Sequence, residues 1–294
     1  MKILVCAKQV PDTANVRFGK DYTLQREGAA RVTNPADESA LELGLCLRDA
    51  AGGRVTVLTM GPKPAESMLR EALSRGADEA VLLCDPAFAG ADTLATARTL
   101  ATAAQYLGGF DLILCGRRAA DGETGQVGPM LAALMNLPCV TNALEAQVTA
   151  EPACSPVRNG DAPLPGNAGI SAPAAPKNVL DACGTLESFP FSPALLTVRQ
   201  LTEAGSVTWL CHTPAVITLC EWRYTLRLPT LAGLRLASRA EIPCLTAAAL
   251  GLAPAQCGLR GSPTRVIRVQ TSASGLRTCE KLTVEAFLAK EVLP

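Results

Sequence analysis

The chain has 294 residues, is 48% hydrophobic and carries 27 basic against 27 acidic side chains, so its formal net charge is zero. That length suits one large domain or two modest ones, and the neutral balance argues against a nucleic-acid groove or an anionic membrane surface as a partner. No apolar run reaches the roughly 18 residues of a membrane helix and the run behind Met1 is too short for a signal peptide, so a cytoplasmic protein without membrane insertion is expected.

Residues 3–6 read as a first buried strand, closed by the loop Ala7-Lys8-Gln9-Val10-Pro11-Asp12. Residues 12–33 read as an excursion with a hairpin around Gly19-Lys20. Thr33-Asn34-Pro35-Ala36-Asp37-Glu38 then starts a helix, with proline just inside it and acids in its first turn. Ala40, Leu41, Gly44 and Leu45 form its buried stripe, and Gly52-Gly53 ends it. A second strand over 55–59 turns at Met60-Gly61-Pro62 into a helix over 65–75, with Gly76 as its C-cap. Residues 80–84 are a third strand, and Phe88-Ala89-Gly90-Ala91-Asp92-Thr93 leads into a helix with Leu94, Ala97, Leu100, Ala101, Ala104 and Leu107 inward.

Residues 111–115 are a fourth strand, followed by Gly116-Arg117-Arg118-Ala119-Ala120-Asp121-Gly122-Glu123-Thr124-Gly125-Gln126-Val127-Gly128 and a helix carrying Met130, Leu131, Leu134 and Met135. Gly122, Gly125 and Gly128 fall three apart, which lets backbone N–H groups approach an anion at a helix N-terminus. A short fifth strand is expected at 138–141. All-apolar strands alternating with amphipathic helices imply a doubly wound, mainly parallel α/β sheet of Rossmann-like type, with ligands at the carboxyl ends of its strands. No GK[ST] sequence occurs and no GxGxxG follows the first strand, so neither a P-loop nor the usual dinucleotide fingerprint is present.

From 151 to 193 the texture changes to eight prolines with many alanines and glycines, which reads as a flexible insertion. Strands return at 194–199, 207–211 and 215–219, with 203–206 as a hairpin turn. The run 231–239, basic at 235 and 239, reads as a solvated helix face. A turn into a strand at 261–269 and an amphipathic segment at 281–290 complete the chain. The divisions drawn are 1–150 (nucleotide-binding core), 151–193 (insertion), 194–250 (remaining strands and a partner-recognition region) and 251–294 (C-terminal arm).

The twelve cysteines are scattered, the nearest two being Cys211 and Cys220, so zinc-ribbon or ferredoxin-type ligation has no support. Cys6, Cys84 and Cys115 close apolar strands and read as buried thiols in a reducing compartment. His212 is the one histidine and no GxSxG loop exists, which disfavours hydrolase chemistry.

The set Ile3-Leu4-Val5-Cys6-Ala7-Lys8-Gln9-Val10-Pro11-Asp12, Thr33-Asn34-Pro35-Ala36-Asp37, Val57-Leu58-Thr59-Met60-Gly61-Pro62, the 88–97 and 116–129 loops and Gly261-Ser262-Pro263-Thr264-Arg265 resembles the beta subunit of electron transfer flavoproteins. The resemblance is dense over 1–150 and thinner over 195–270. It implies a heterodimer with an alpha subunit that carries the electron-shuttling FAD. The beta crevice of such proteins holds AMP, or a second FAD in the bifurcating type, and Gly90-Ala91-Asp92-Thr93-Leu94-Ala95-Thr96 is more similar to the second-FAD type, so FAD is expected over AMP. Matching positions make Cys6, Asn34, Asp37, Met60, Gly116, Arg117, Asp121, Gly122, Thr124, Gly125, Gln126 and Val127 the nucleotide contacts, joined by Thr93 if the ligand is FAD. Asn34 and Asp37 suit a ribose or adenine edge, and Asp37 reads equally as an early-turn acid of its helix. Lys8 and Arg117 could offset phosphate charge or be solvated.

Relatives carry a short hairpin where this chain has the 151–193 insertion. Their partner-recognition loop has an Asn-Glu-Pro-Arg-Tyr-Pro core, of which only Arg227 and Pro229 survive here, so the acceptor or donor is an acyl-CoA dehydrogenase or another redox partner. The function implied is an electron carrier subunit rather than a stand-alone enzyme, with NADH as hydride donor if it bifurcates and no residue acting as general acid or base. The alternative is a non-redox AMP-binding structural or regulatory subunit. A nucleotide-hydrolysing enzyme ranks last, since only Asp121 and Glu123 stand near the loop to serve it.

Overall fold

A computed structural model describes residues 1–12, 17–18, 24–25, 31–149 and 194–264. Its strands and helices are β1 (Lys2–Cys6), β2 (Gln9–Pro11), β3 (Arg17–Phe18), β4 (Leu24–Gln25), β5 (Arg31–Thr33), α1 (Pro35–Ala51), β6 (Arg54–Met60), α2 (Glu66–Ser74), β7 (Glu79–Leu83) and α3 (Thr93–Tyr106). There follow β8 (Leu112–Gly116), α4 (Val127–Met135), β9 (Cys139–Thr149), β10 (Leu195–Thr202), β11 (Gly205–His212), β12 (Ala215–Leu219), α5 (Leu231–Arg239) and β13 (Cys244–Leu245). Among the described residues, nine strands form one sheet in the order β11-β10-β9-β12-β8-β1-β6-β7-β13. The pairs from β9 through β13 are parallel, while β9–β10 and β10–β11 are antiparallel.

The α/β class read from the sequence is the class observed. Because successive side chains of a strand point to opposite faces, each central strand feeds two cores. Ile3, Val5, Val57, Leu112 and Leu114 pack with Leu41, Leu45 and Leu69 of α1 and α2. Leu4, Leu58, Ile113 and Val216 pack with Ala97, Leu100 and Leu131 of α3 and α4. Each such fully buried aliphatic side chain contributes about 1.5–3 kcal/mol relative to exposure, and the two cores clamp the sheet between helix layers. Gly44 lets α1 settle onto the sheet, since an added Cβ would already lie 3.3 Å from Val5 Cγ2. The winding reverses at β1: β6 and β7 follow on one side, then the chain returns to β8 on the other.

Two details differ from expectation. The fifth strand runs over Cys139–Thr149 rather than 138–141. Its first part pairs with β12 and its second with β10, across Asn142 at φ 52° and a register shift opposite Ile217/Leu219. Polar Asn142 and Glu145 hid this continuation. The helix after β6 ends with Arg75 at its cap, and Gly76 follows at φ +112°. The strand expected over 215–219 is observed there as β12 and lies between β8 and β9. Around 12–33, β2 pairs with β5 and β3 with β4 as hairpin arms, while the turn at Gly19-Lys20 lies outside the described residues. The insertion 151–193 and the expectations for 265–294 also lie outside them. Among the described residues no helix is long and apolar enough to cross a membrane.

Candidate nucleotide site

The carboxyl ends of β1, β6 and β8 open into one cavity of about 780 Å3, closed by the loops that follow them and by the first turns of α1, α3 and α4. All thirteen positions singled out in the sequence line it: Cys6, Asn34, Asp37, Met60, Thr93, Gly116, Arg117, Asp121, Gly122, Thr124, Gly125, Gln126 and Val127. It lies at the reversal of the winding, where open α/β sheets bind ligands. Thr59, Arg31, Thr96 and Leu100 also line it and were not anticipated. Thr96 and Leu100 stand three and seven residues after Thr93, so the helical face carrying Thr93 could have been followed further.

The N-terminus of α4 faces this space. Gln126 occupies the N-cap position and no side chain caps the helix, so first-turn N–H groups are open to an anion, which the helix dipole favours. By contrast α3 is capped by Asp92, whose carboxylate accepts from Ala95 N at 2.9 Å and from Thr264. Gly128 brings α4 tight against the sheet, because a Cβ there would lie 2.4 Å from Thr218 Cγ2. Thr93 Oγ1 donates to Gln126 Oε1 at 3.1 Å, tying α3 to the loop before α4.

Asn34 and Asp37 are occupied within the protein. Asp37 Oδ2 accepts from Lys8 N at 2.8 Å and Oδ1 from Gly116 N at 2.9 Å. Asn34 donates to Arg118 O at 2.9 Å and accepts from Ala120 N at 3.0 Å. The first turn of α1 therefore staples the loop after β1 and the loop after β8. Burial pushes the Asp37 carboxyl up to about 7, against the opposing pull of Lys8 N–H, the Asn34 side chain, Gly116 N–H and the Lys8 charge. The cations pair locally: Lys8 Nζ sits 2.7 Å from Asp121 Oδ1, and Arg117 and Arg118 each stand 2.8 Å from Glu221. Cys6 and Cys115 are register partners on β1 and β8, both buried. The Cys6 sulfur and burial push the Cys115 thiol well up, so it is an inert wall rather than a nucleophile. Cys84 is only half-buried. Among the described residues no cluster of three or more His, Cys, Asp or Glu could hold a metal ion.

Gly116 shows how tightly this corner is built. An added Cβ would lie 2.3 Å from Asp37 Oδ1 and 2.7 Å from Ala36 Cβ, whereas one at Gly122 meets nothing within 4 Å. Gly116→Ala is expected to lower unfolding free energy by about 1–3 kcal/mol and Gly122→Ala to change it by under about 0.5 kcal/mol, as read by urea titration. Equal losses at both would contradict the staple.

Compared with known proteins, residues 21–162 match the family model described as the electron transfer flavoprotein domain. The chain is 38% identical over 279 residues to the electron transfer flavoprotein subunit beta of Megasphaera elsdenii, covering 92% of this chain and 87% of that protein. It is 38% identical over 293 residues to protein FixA of Azorhizobium caulinodans, covering 98% and 89%. It is 35% identical over 270 residues to the caffeyl-CoA reductase-Etf complex subunit CarD of Acetobacterium woodii, covering 91% and 87%.

Proposed function

The chain belongs to the electron transfer flavoprotein family, as a beta-type subunit, and from that premise we propose that its cavity holds an adenine nucleotide, FAD rather than AMP. The observation that carries this reading is the cavity itself. About 780 Å3 lies between an uncapped helix N-terminus and the α3 face that runs from Thr93 to Leu100, near the upper end of the roughly 300–1,000 Å3 usual for ligand pockets. FAD contains AMP within it and needs the additional length. In this reading the N–H groups of residues 124–128 cradle phosphate, and Met60, Phe88 and Leu100 supply the apolar wall.

The flavin, when bound, supplies electron and hydride transfer; the chain orients it and keeps its surroundings dry. The partner is an alpha subunit carrying its own FAD, with an acyl-CoA dehydrogenase or another redox enzyme beyond it and NADH as a candidate hydride donor. Leu228, Leu231 and Leu236 stand 81%, 77% and 72% exposed on the segment after β12, an apolar patch that supports burial against another subunit.

The test is to produce the chain together with its alpha subunit and count FAD and AMP per heterodimer after denaturing release. Two FAD and no AMP is the expected result. One FAD with one AMP turns this subunit into a structural nucleotide holder. No nucleotide beyond the alpha subunit's own removes the assignment.

A further inference from the structure

The geometry points to Lys8 as the cation that receives the phosphate of the cavity's ligand, with Asp121 occupying it until that ligand enters; this rests on the nucleotide reading above. Lys8 Nζ contacts both oxygens of Asp121, at 2.7 and 2.8 Å, much as an ammonium would contact two oxygens of a phosphate. The two residues lie 113 apart in sequence, on the loops after β1 and β8, and both line the cavity. Lys8 is fixed at its backbone, where its N–H donates to Asp37, while its side chain is 49% exposed and able to turn.

Asp121 belongs to the loop that ends in the uncapped N-terminus of α4, and both line the one cavity. Arg117 and Arg118 are engaged by Glu221, which leaves Lys8 as the cation whose carboxylate partner is itself a lining residue. Arg31, at the rim, forms no ion pair among the described residues and is the competing candidate. A partly exposed ion pair is weak, so exchanging one anion for another is readily reversible.

The experiment is calorimetric titration of the full chain, produced with its alpha subunit and freed of nucleotide at this site, using adenosine, AMP and ADP as probes. Lys8→Gln is expected to weaken AMP and ADP by about 5–30-fold and to leave adenosine within about twofold, since adenosine has no phosphate. Asp121→Asn is expected to tighten AMP and ADP by about 2–5-fold, because it frees Lys8. In the Lys8→Gln background Asp121→Asn should tighten AMP and ADP by less than it does in the wild-type chain, since only the repulsion between carboxylate and phosphate is then relieved.

Opposite signs for the two single variants are the signature. Weakening by both would make the pair a structural strap and overturn the proposal. So would tightening by Asp121→Asn as large in the Lys8→Gln background as in the wild-type chain, or a loss confined to Arg31→Gln. If the wild-type chain binds none of the three probes, the nucleotide reading itself fails and takes this inference with it.

Discussion

The native chain is expected to lose stability between about pH 4 and pH 7, and replacing Asp37 with asparagine is expected to remove that loss. Burial holds the folded carboxyl at about 7, against an ordinary value of 3.8. A raised folded value means that the folded state binds the proton more tightly than the unfolded chain does. The stabilisation is therefore fully present below the unfolded value, falls as pH rises towards 7, and is gone above it. A rise of that size corresponds to about 4 kcal/mol, an order-of-magnitude figure. Asparagine cannot ionise, but its amide nitrogen offers no acceptor to one of the two N–H groups now held, which costs about 1–3 kcal/mol at every pH. Denaturant unfolding of both proteins from pH 4.5 to 8.5 reads the difference. The gap should move in favour of the variant by about 2–4 kcal/mol across that range. Parallel curves would mean that Asp37 titrates as an ordinary surface acid.

Removing Arg227 is expected to cost about 2–4 kcal/mol, because it strands a buried carboxylate. Its guanidinium reaches Glu42 through Nε at 3.0 Å and Nη2 at 2.9 Å, and Asp49 through Nη1 at 2.8 Å. Its own N–H adds a bond to Glu42 at 2.9 Å, and Glu42 is only 8% exposed. The hydrogen bonds it donates to Glu42 push the arginine further above its ordinary value. Arg227→Met keeps most of the stem and removes the charge. Adding Glu42→Gln should restore at least half of the loss, since the remaining buried group is then neutral. The measurement is a denaturant double-mutant cycle over these two sites. Additive losses would show that no coupling exists. This network anchors the segment after β12 to α1.

What could be read in advance was what local chemistry dictates. The apolar runs behind β1, β6, β7 and β8, the proline and acids opening α1, and the glycines before α4 each mark their element within a few residues. The thirteen positions were legible only through the motifs that carry the family resemblance; that they line one cavity follows from the convergence of loops at the carboxyl ends of parallel strands. Spatial neighbours distant in sequence were not legible. Nothing local announces that Lys8 meets Asp121, that Arg117 and Arg118 share Glu221, or that β12 enters between β8 and β9. Asp37 was open between ligand contact and helix acid, and the structure gives it a third task, joining two loops from beneath. The length of β9 was missed because its second half alternates buried Ala143 and Ala146 with polar residues, a weaker signal than an apolar run.

The position of β12 has a consequence for the order in which the molecule can be completed. Thr218 is the residue against which Gly128 sets the start of α4, and Leu219 O accepts from Arg117 N at 2.8 Å. The loop before α4 is thus backed by a strand that leaves the ribosome long after the loop itself. Until residues 215–219 emerge, β8 presents an unpaired edge and the loop after it lacks its support. A nascent chain stopped anywhere within residues 151–193 has translated every one of the thirteen cavity residues and still lacks the strand that backs them, so the cavity is completed only once synthesis has passed residue 219, about three quarters of the way along the chain.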